Sequence, residues 1–133
     1  MADWLDCIDD PRAIRAVFGD HTPPLQGITL HSVKVDLQLF SVELDFDLPE
    51  FPIDPPVKWR KFNTVALRLR LYELSDLHID GLPAHDVTDV LIEPDGEHFR
   101  TTVRSSGLSA SVRSRWIDIG KMSAYQRIPD PDG

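Results

Sequence analysis

The sequence predicts a mostly β, α+β fold: an antiparallel sheet of about six or seven strands with one N-terminal helix. Three observations carry this. Long runs alternate apolar and polar residues with a period of two, as strands with one buried face do. Gly, Pro, Asp and Ser punctuate those runs at regular spacing. A helical period appears only near the N-terminus.

The helix is read from PRAIRAVFGD. Asp9 or Asp10 offers an N-cap carboxylate, and Pro11 fits the first turn, where its missing N–H costs nothing. Ile14, Val17 and Phe18 share one face, while Arg12 and Arg15 point away. Gly19 suits the stop and Pro23-Pro24 forbids continuation. Trp4, Leu5 and Ile8 form a preceding turn on the same core.

Strands follow. ITLHSVKVDLQL places Val33, Val35, Leu37 and Leu39 on one face and Ser32, Lys34, Asp36 and Gln38 on the other. SVELDFDL points Val42, Leu44, Phe46 and Leu48 inward, with Glu43, Asp45 and Asp47 outward. TVALRLRLY points Val65, Leu67, Leu69 and Leu71 inward, with Ala66, Arg68, Arg70 and Tyr72 outward. If these two strands pair, Asp45 and Asp47 face Arg68 and Arg70, and opposite charge helps fix register. DLHID is a short run ending at Gly81-Leu82-Pro83. VTDVLIE, a Pro94-Asp95-Gly96 turn and HFRTTVR come next. In GLSASVRSRWIDIG, Leu108, Ala110, Val112, Ser114 and Trp116 alternate against Ser109, Ser111, Arg113, Arg115 and Ile117. KMSAYQRI closes the fold as a short strand or turn. Residues 1–128 read as a single domain and 129–133 as a frayed tail.

Bulk composition narrows the function classes. A chain of 133 residues is one domain by length and buries enough surface to fold without metal or disulfide. The 14 basic and 22 acidic residues leave a net charge of −8, which argues against a nucleic-acid or anionic-membrane surface; steering would favour a basic protein partner, but a soluble, self-repelling surface is the simpler reading. One cysteine, Cys7, cannot form an internal disulfide, which fits a reducing cytoplasm. The start, MADWLDCIDD, lacks the basic and apolar regions of a signal peptide, and no run reaches the ~20 apolar residues of a membrane helix.

No catalytic constellation is visible. His21, His31, His78, His85 and His98 form no HxH or HExxH pattern. His78 and Asp80, two apart on a strand, supply two potential metal ligands, but a partly exposed strand histidine is the simpler reading; with His98 they are the residues of an alternative site assembled from distant positions. Asp45 and Asp47 share a strand face as a general acid–base pair would, but the Arg-bearing neighbour makes ion pairing the simpler account. Ser105-Ser106-Gly107 is turn composition, not a nucleophile elbow, and no Gly-rich phosphate loop is present. Arg113, Arg115 and Trp116 read as a solvated strand face. The expectation is a non-enzymatic binding module with no cofactor.

Residues 46–59, FDLPEFPIDPPVKW, hold four prolines between two well-patterned strands. Proline fixes φ and cuts the entropy lost on ordering, so this bridge holds a shape without regular hydrogen bonds. Two readings stand: Phe51, Trp59 and Phe62 fold back as a lid over the sheet, or the loop presents an aromatic, acidic surface to a partner. On the second, Trp59 and Phe62 are the anchors and Glu50 and Asp54 the rim. Trp59→Ala would then weaken binding with the fold intact, whereas lost cooperative unfolding would mark Trp59 as core. A carbohydrate or small-ligand module using Trp59 and Trp116 is the alternative.

The order FDLPEFPxxPPxKW, NTVxLxLxLY, DLxIxG and KMSAYQ resembles the immunity protein 50 family of bacterial polymorphic toxin systems. The matching residues include Phe46, Asp47, Leu48, Pro49, Phe51, Pro52, Pro55, Pro56, Lys58, Trp59, Asn63, Gly81 and Tyr125. One departure is Leu82-Pro83, where the family carries an aromatic after the glycine. The resemblance implies a small, mostly β, non-enzymatic protein. Its implied partner is a cognate toxin domain, neutralised by stoichiometric binding.

Overall fold

The computed structural model describes residues 3–83 and 87–128. Its N-terminal segment turns because its acids are placed to cap it. Asp3 accepts the Leu5 N–H at 2.8 Å and Asp6 reaches back to the Asp3 N–H at 3.1 Å, closing a capping box on the 3-10 turn Trp4–Cys7. Helix α1 (Arg12–Phe18) follows, with Pro11 at its N-cap rather than inside the first turn. The Asp10 carboxylate supplies the cap from one residue earlier, accepting the Arg12 N–H at 3.1 Å. It also takes the Arg12 side chain, a hydrogen bond that lowers its pKa to about 2. Gly19, at φ 65°, ends the helix and sends its N–H back to the Arg15 carbonyl. Ile14 and Phe18 are buried, as the helical spacing requires.

Six strands follow among the described residues: β1 (Gln26–Asp36), β2 (Ser41–Asp47), β3 (Thr64–Gly81), β4 (Thr88–Asp95), β5 (His98–Ser105) and β6 (Leu108–Tyr125). All pairings are antiparallel, in the order β1-β2-β3-β6-β5-β4. The sheet closes into a barrel where Gln26 and Ile28 of β1 meet Asp89 and Thr88 of β4. Closure depends on β3 and β6 being long, 18 residues each, and bent. The first half of β3 also pairs with β2 and the first half of β6 with β5, while the ladder between β3 and β6 runs their whole lengths. The runs TVALRLRLY and DLHID are therefore one strand, and KMSAY continues GLSASVRSRWIDIG as another.

At the bends the period of two slips. Glu73 adopts φ 51° in β3, Ser75 is an extra residue in the ladder, and across from them Arg115 and Trp116 both face solvent. The slip turns Trp116 outward and carries Ile117 into the core, the reverse of the alternation read from sequence. A similar departure occurs after β1. The Asp36 carboxylate accepts the N–H groups of Gln38 and Leu39, each at 3.0 Å, so the chain turns there. Leu37 and Leu39, expected inward, are exposed in that turn.

The predicted interior of β2 and β3 is the interior found. Val42, Leu44, Phe46, Val65, Leu67, Leu69 and Leu71 pack with Ile14, Leu5 and Leu25 in one cluster. Each large side chain fully buried there stabilises the fold by about 1.5–3 kcal/mol. On the outer face the charge pairing holds in part. Asp45 lies opposite Arg68, 2.8 Å from its Nε, but Arg70 lies opposite Glu43. Asp47 faces Ala66 and is 1% exposed, covered from neighbouring strands instead of being paired across the ladder. No helix among the described residues is long and apolar enough to cross a membrane. His85 and the tail 129–133 lie outside the described residues.

Candidate functional site

The proline bridge is tied down at both ends. The Leu48 N–H bonds the Val65 carbonyl at 2.9 Å and the Asn63 N–H bonds the Tyr125 carbonyl at 3.3 Å. The Asn63 side chain also clasps the Arg127 backbone, at 2.8 and 3.0 Å. Between these points the only helical piece is a 3-10 turn, Val57–Trp59. It lets Trp59 turn inward, where it is 8% exposed and part of the core cluster. Phe51 packs partly against the same core. Ile53, between Pro52 and Asp54, is 100% exposed. Lid and display are thus properties of different residues of one loop.

A groove of about 710 Å³ runs between the C-terminal half of α1 and this bridge. Val17 and Phe18 line it from the helix, with Phe51, Pro52 and Ile53 opposite. Its rim is polar: His21 Nε2 lies 2.5 Å from Glu50 Oε2, and Asp54 is exposed beyond it. That combination, an apolar floor under a largely acidic rim, suits an apolar side chain carried on a neutral or basic surface. Of the residues singled out by sequence, Glu50 and Asp54 line the groove. Trp59 and Phe62 do not; Phe62 is half-buried on the same loop, with Lys61 Nζ 5.1 Å from its ring centre. Trp116 does not line it either and lies beneath Arg115 on β6, 5.7 Å away. Ile53, Val17 and His21 were not singled out by sequence. The available signal was Ile53, an apolar residue between a proline and an acid that belongs to no alternation.

A second polar cluster lies on the outer face of the barrel. Tyr125 donates to Asp47 Oδ2 at 2.5 Å, His31 Nε2 is 2.9 Å away and Arg127 Nη1 3.6 Å away. Burial, then the hydrogen bond to Asp47, pushes the Tyr125 phenol up to about 12. Because the folded value exceeds the ordinary 10.0, this contribution to stability is complete below pH 10. It is lost as pH rises towards about 12. The chain has two tyrosines, so Tyr72→Phe leaves one phenol to follow by absorbance at 295 nm. Its midpoint is expected near pH 12, and a midpoint near 10 would show that the contact with Asp47 is not maintained.

Other candidates fall into structural roles. Among the described residues no group of three or more His, Cys, Asp or Glu is placed to hold a metal ion. His78 and Asp80 pair with Ser111 and Ser109 of β6. Ser105-Ser106-Gly107 forms the β5–β6 turn, with Gly107 at φ 91°. Arg113 is held by Asp95 at 3.0 Å. Cys7 is buried, and burial pushes its thiol up, away from the reactive thiolate.

Fold and groove together define a small antiparallel β-barrel with a lateral groove walled on one side by a helix. The chain belongs to the immunity protein 50 family, whose model matches residues 10–125, and an immunity role fits that membership. No curated protein and no solved structure matches it.

Proposed function

We propose that this protein neutralises a cognate polymorphic toxin domain by stoichiometric occlusion in the cytoplasm, without catalysis. The observation that carries this reading is the α1–bridge groove, with the fully exposed Ile53 on a proline-stiffened wall. A stiff loop loses little entropy on binding, so an apolar anchor on it contributes most of its contact energy to affinity. Glu50 and Asp54 form the rim and, with the net charge of −8, steer a basic toxin domain. Trp59 and Phe62 act from beneath, holding the bridge in the shape that the partner meets. The interface is expected to bury roughly 1,200–2,000 Å² in total.

The test is co-expression with the product of the neighbouring gene. A one-to-one complex that restores growth is expected. Ile53→Asp should weaken that complex about 100-fold while leaving the urea midpoint unchanged. Absence of a complex, or equal affinity of the variant, would overturn the reading or the groove assignment respectively.

A further inference from the structure

Leu37, Leu39 and Phe40 form the β1–β2 tip and are 76%, 72% and 63% exposed. A tip of this kind is ordinarily polar, and three large apolar side chains on it leave surface that water does not favour. Its backbone is nonetheless fixed. Asp36 takes two of its N–H groups, and the Leu74 N–H bonds the Phe40 carbonyl at 3.1 Å. Phe40 sits at φ 50°, and Glu73, next to Leu74, at φ 51°. These are the two non-glycine residues of positive φ among the described residues, and one hydrogen bond links their neighbourhoods. Gly or Asn takes that conformation at little cost, whereas a bulky side chain is strained in it. Burial cannot account for phenylalanine there, because most of its surface faces solvent.

We propose that the β1–β2 tip is a second, preformed anchor that inserts into an apolar cleft of the toxin domain. This rests on the reading of the chain as a toxin-binding protein. Strand β2 separates the tip from the proline bridge by seven residues, about 23 Å at strand rise, within the breadth of one standard interface. A second copy of this chain is the poorer occupant. Two convex tips bury little of the ~800 Å² per partner that a stable dimer needs, and each copy carries −8.

Three measurements decide it, with the toxin domain encoded by the neighbouring gene as the probe. Leu37→Ser with Leu39→Ser should leave the urea midpoint of the free chain unchanged and weaken the complex at least tenfold. Phe40→Asn should raise the midpoint, by releasing backbone strain, and also weaken the complex. Sedimentation of the free wild-type chain should show a monomer. Undiminished affinity of the double variant, in a complex that the wild type forms, would overturn the tip alone. A lowered midpoint in Phe40→Asn would show that the fold itself holds Phe40. A dimer dissolved by the double variant would make a second copy the occupant. No complex with the wild-type chain would sink the partner reading and the tip with it.

Discussion

Trp59→Ala should destabilise the protein by about 3–5 kcal/mol, the cost of deleting a large buried aromatic and leaving its cavity partly unfilled. Against a typical total of about 5–15 kcal/mol, that leaves a marginal fold. The cause is particular to this loop. Four prolines remove backbone donors from the bridge, so few hydrogen bonds hold it and its position depends on side-chain burial. Beyond strand β2, Trp59 is the bridge's one large aromatic in the buried core. Urea denaturation should show a sharply lowered midpoint, with Trp59→Phe intermediate because part of the apolar volume remains. Amide exchange in Trp59→Phe should quicken first in residues 50–62. A midpoint for Trp59→Ala within about 0.5 kcal/mol of wild type would mean that the indole is dispensable to the core. The bridge would then owe its shape to its prolines alone. Affinity measurements on Trp59→Ala therefore mix lost groove shape with lost stability, and Ile53 is the cleaner probe of contact.

How far the sequence led follows from where period two is kept. In β2 and the first half of β3, which pair without a bulge, the inward residues from Val42 to Phe46 and from Val65 to Leu71 are the buried ones. That the acids of β2 face the arginines of β3 was legible for the same reason, but their register was not: of three acids, Glu43 and Asp45 meet Arg70 and Arg68, and Asp47 is left opposite Ala66. Failures concentrate where the backbone leaves the ladder. The turn at 37–40 hides inside an alternating apolar pattern, because Leu-Gln-Leu-Phe contains no Gly, Pro, Asn or Asp. The bend at Glu73 hides likewise, and its partner slip at Arg115–Trp116 exchanges the places of Trp116 and Ile117. Gly120, extra in the β6 ladder, did carry a local sign of its irregularity. The groove was legible only in its two acids, Glu50 and Asp54. Its other wall is α1, and no local pattern records that residues 16–21 and 50–54 meet.

Gly81→Ala is expected to be nearly as damaging, at about 3 kcal/mol or more, although it adds one methyl group. Gly81 ends β3 at φ +83°, a conformation that strains any residue with a Cβ. A Cβ built there would lie 1.9 Å from the carbonyl oxygen of Gly107, so the methyl meets backbone and not a movable side chain. Relief would have to separate Gly81 from the β5–β6 turn and break the pairing of Gly81 with Leu108, where β3 and β6 begin their shared ladder. That ladder continues through both bends to Thr64 and Tyr125, beside Asn63 at the end of the bridge. Gly120→Ala is the matched control. Its Cβ would approach Arg70 Nε at 2.8 Å and Cδ and Cγ at 3.0 Å, so the methyl meets a side chain and not backbone. Its cost should stay near 1 kcal/mol. Thermal unfolding of the two variants separates these cases, and equal melting temperatures would show that the Gly81–Gly107 crossing yields as readily as a surface arginine. If Gly81→Ala instead unfolds early while Ile53→Asp does not, barrel closure and partner contact reside in different parts of the chain. Binding losses at Ile53 can then be read as interface effects.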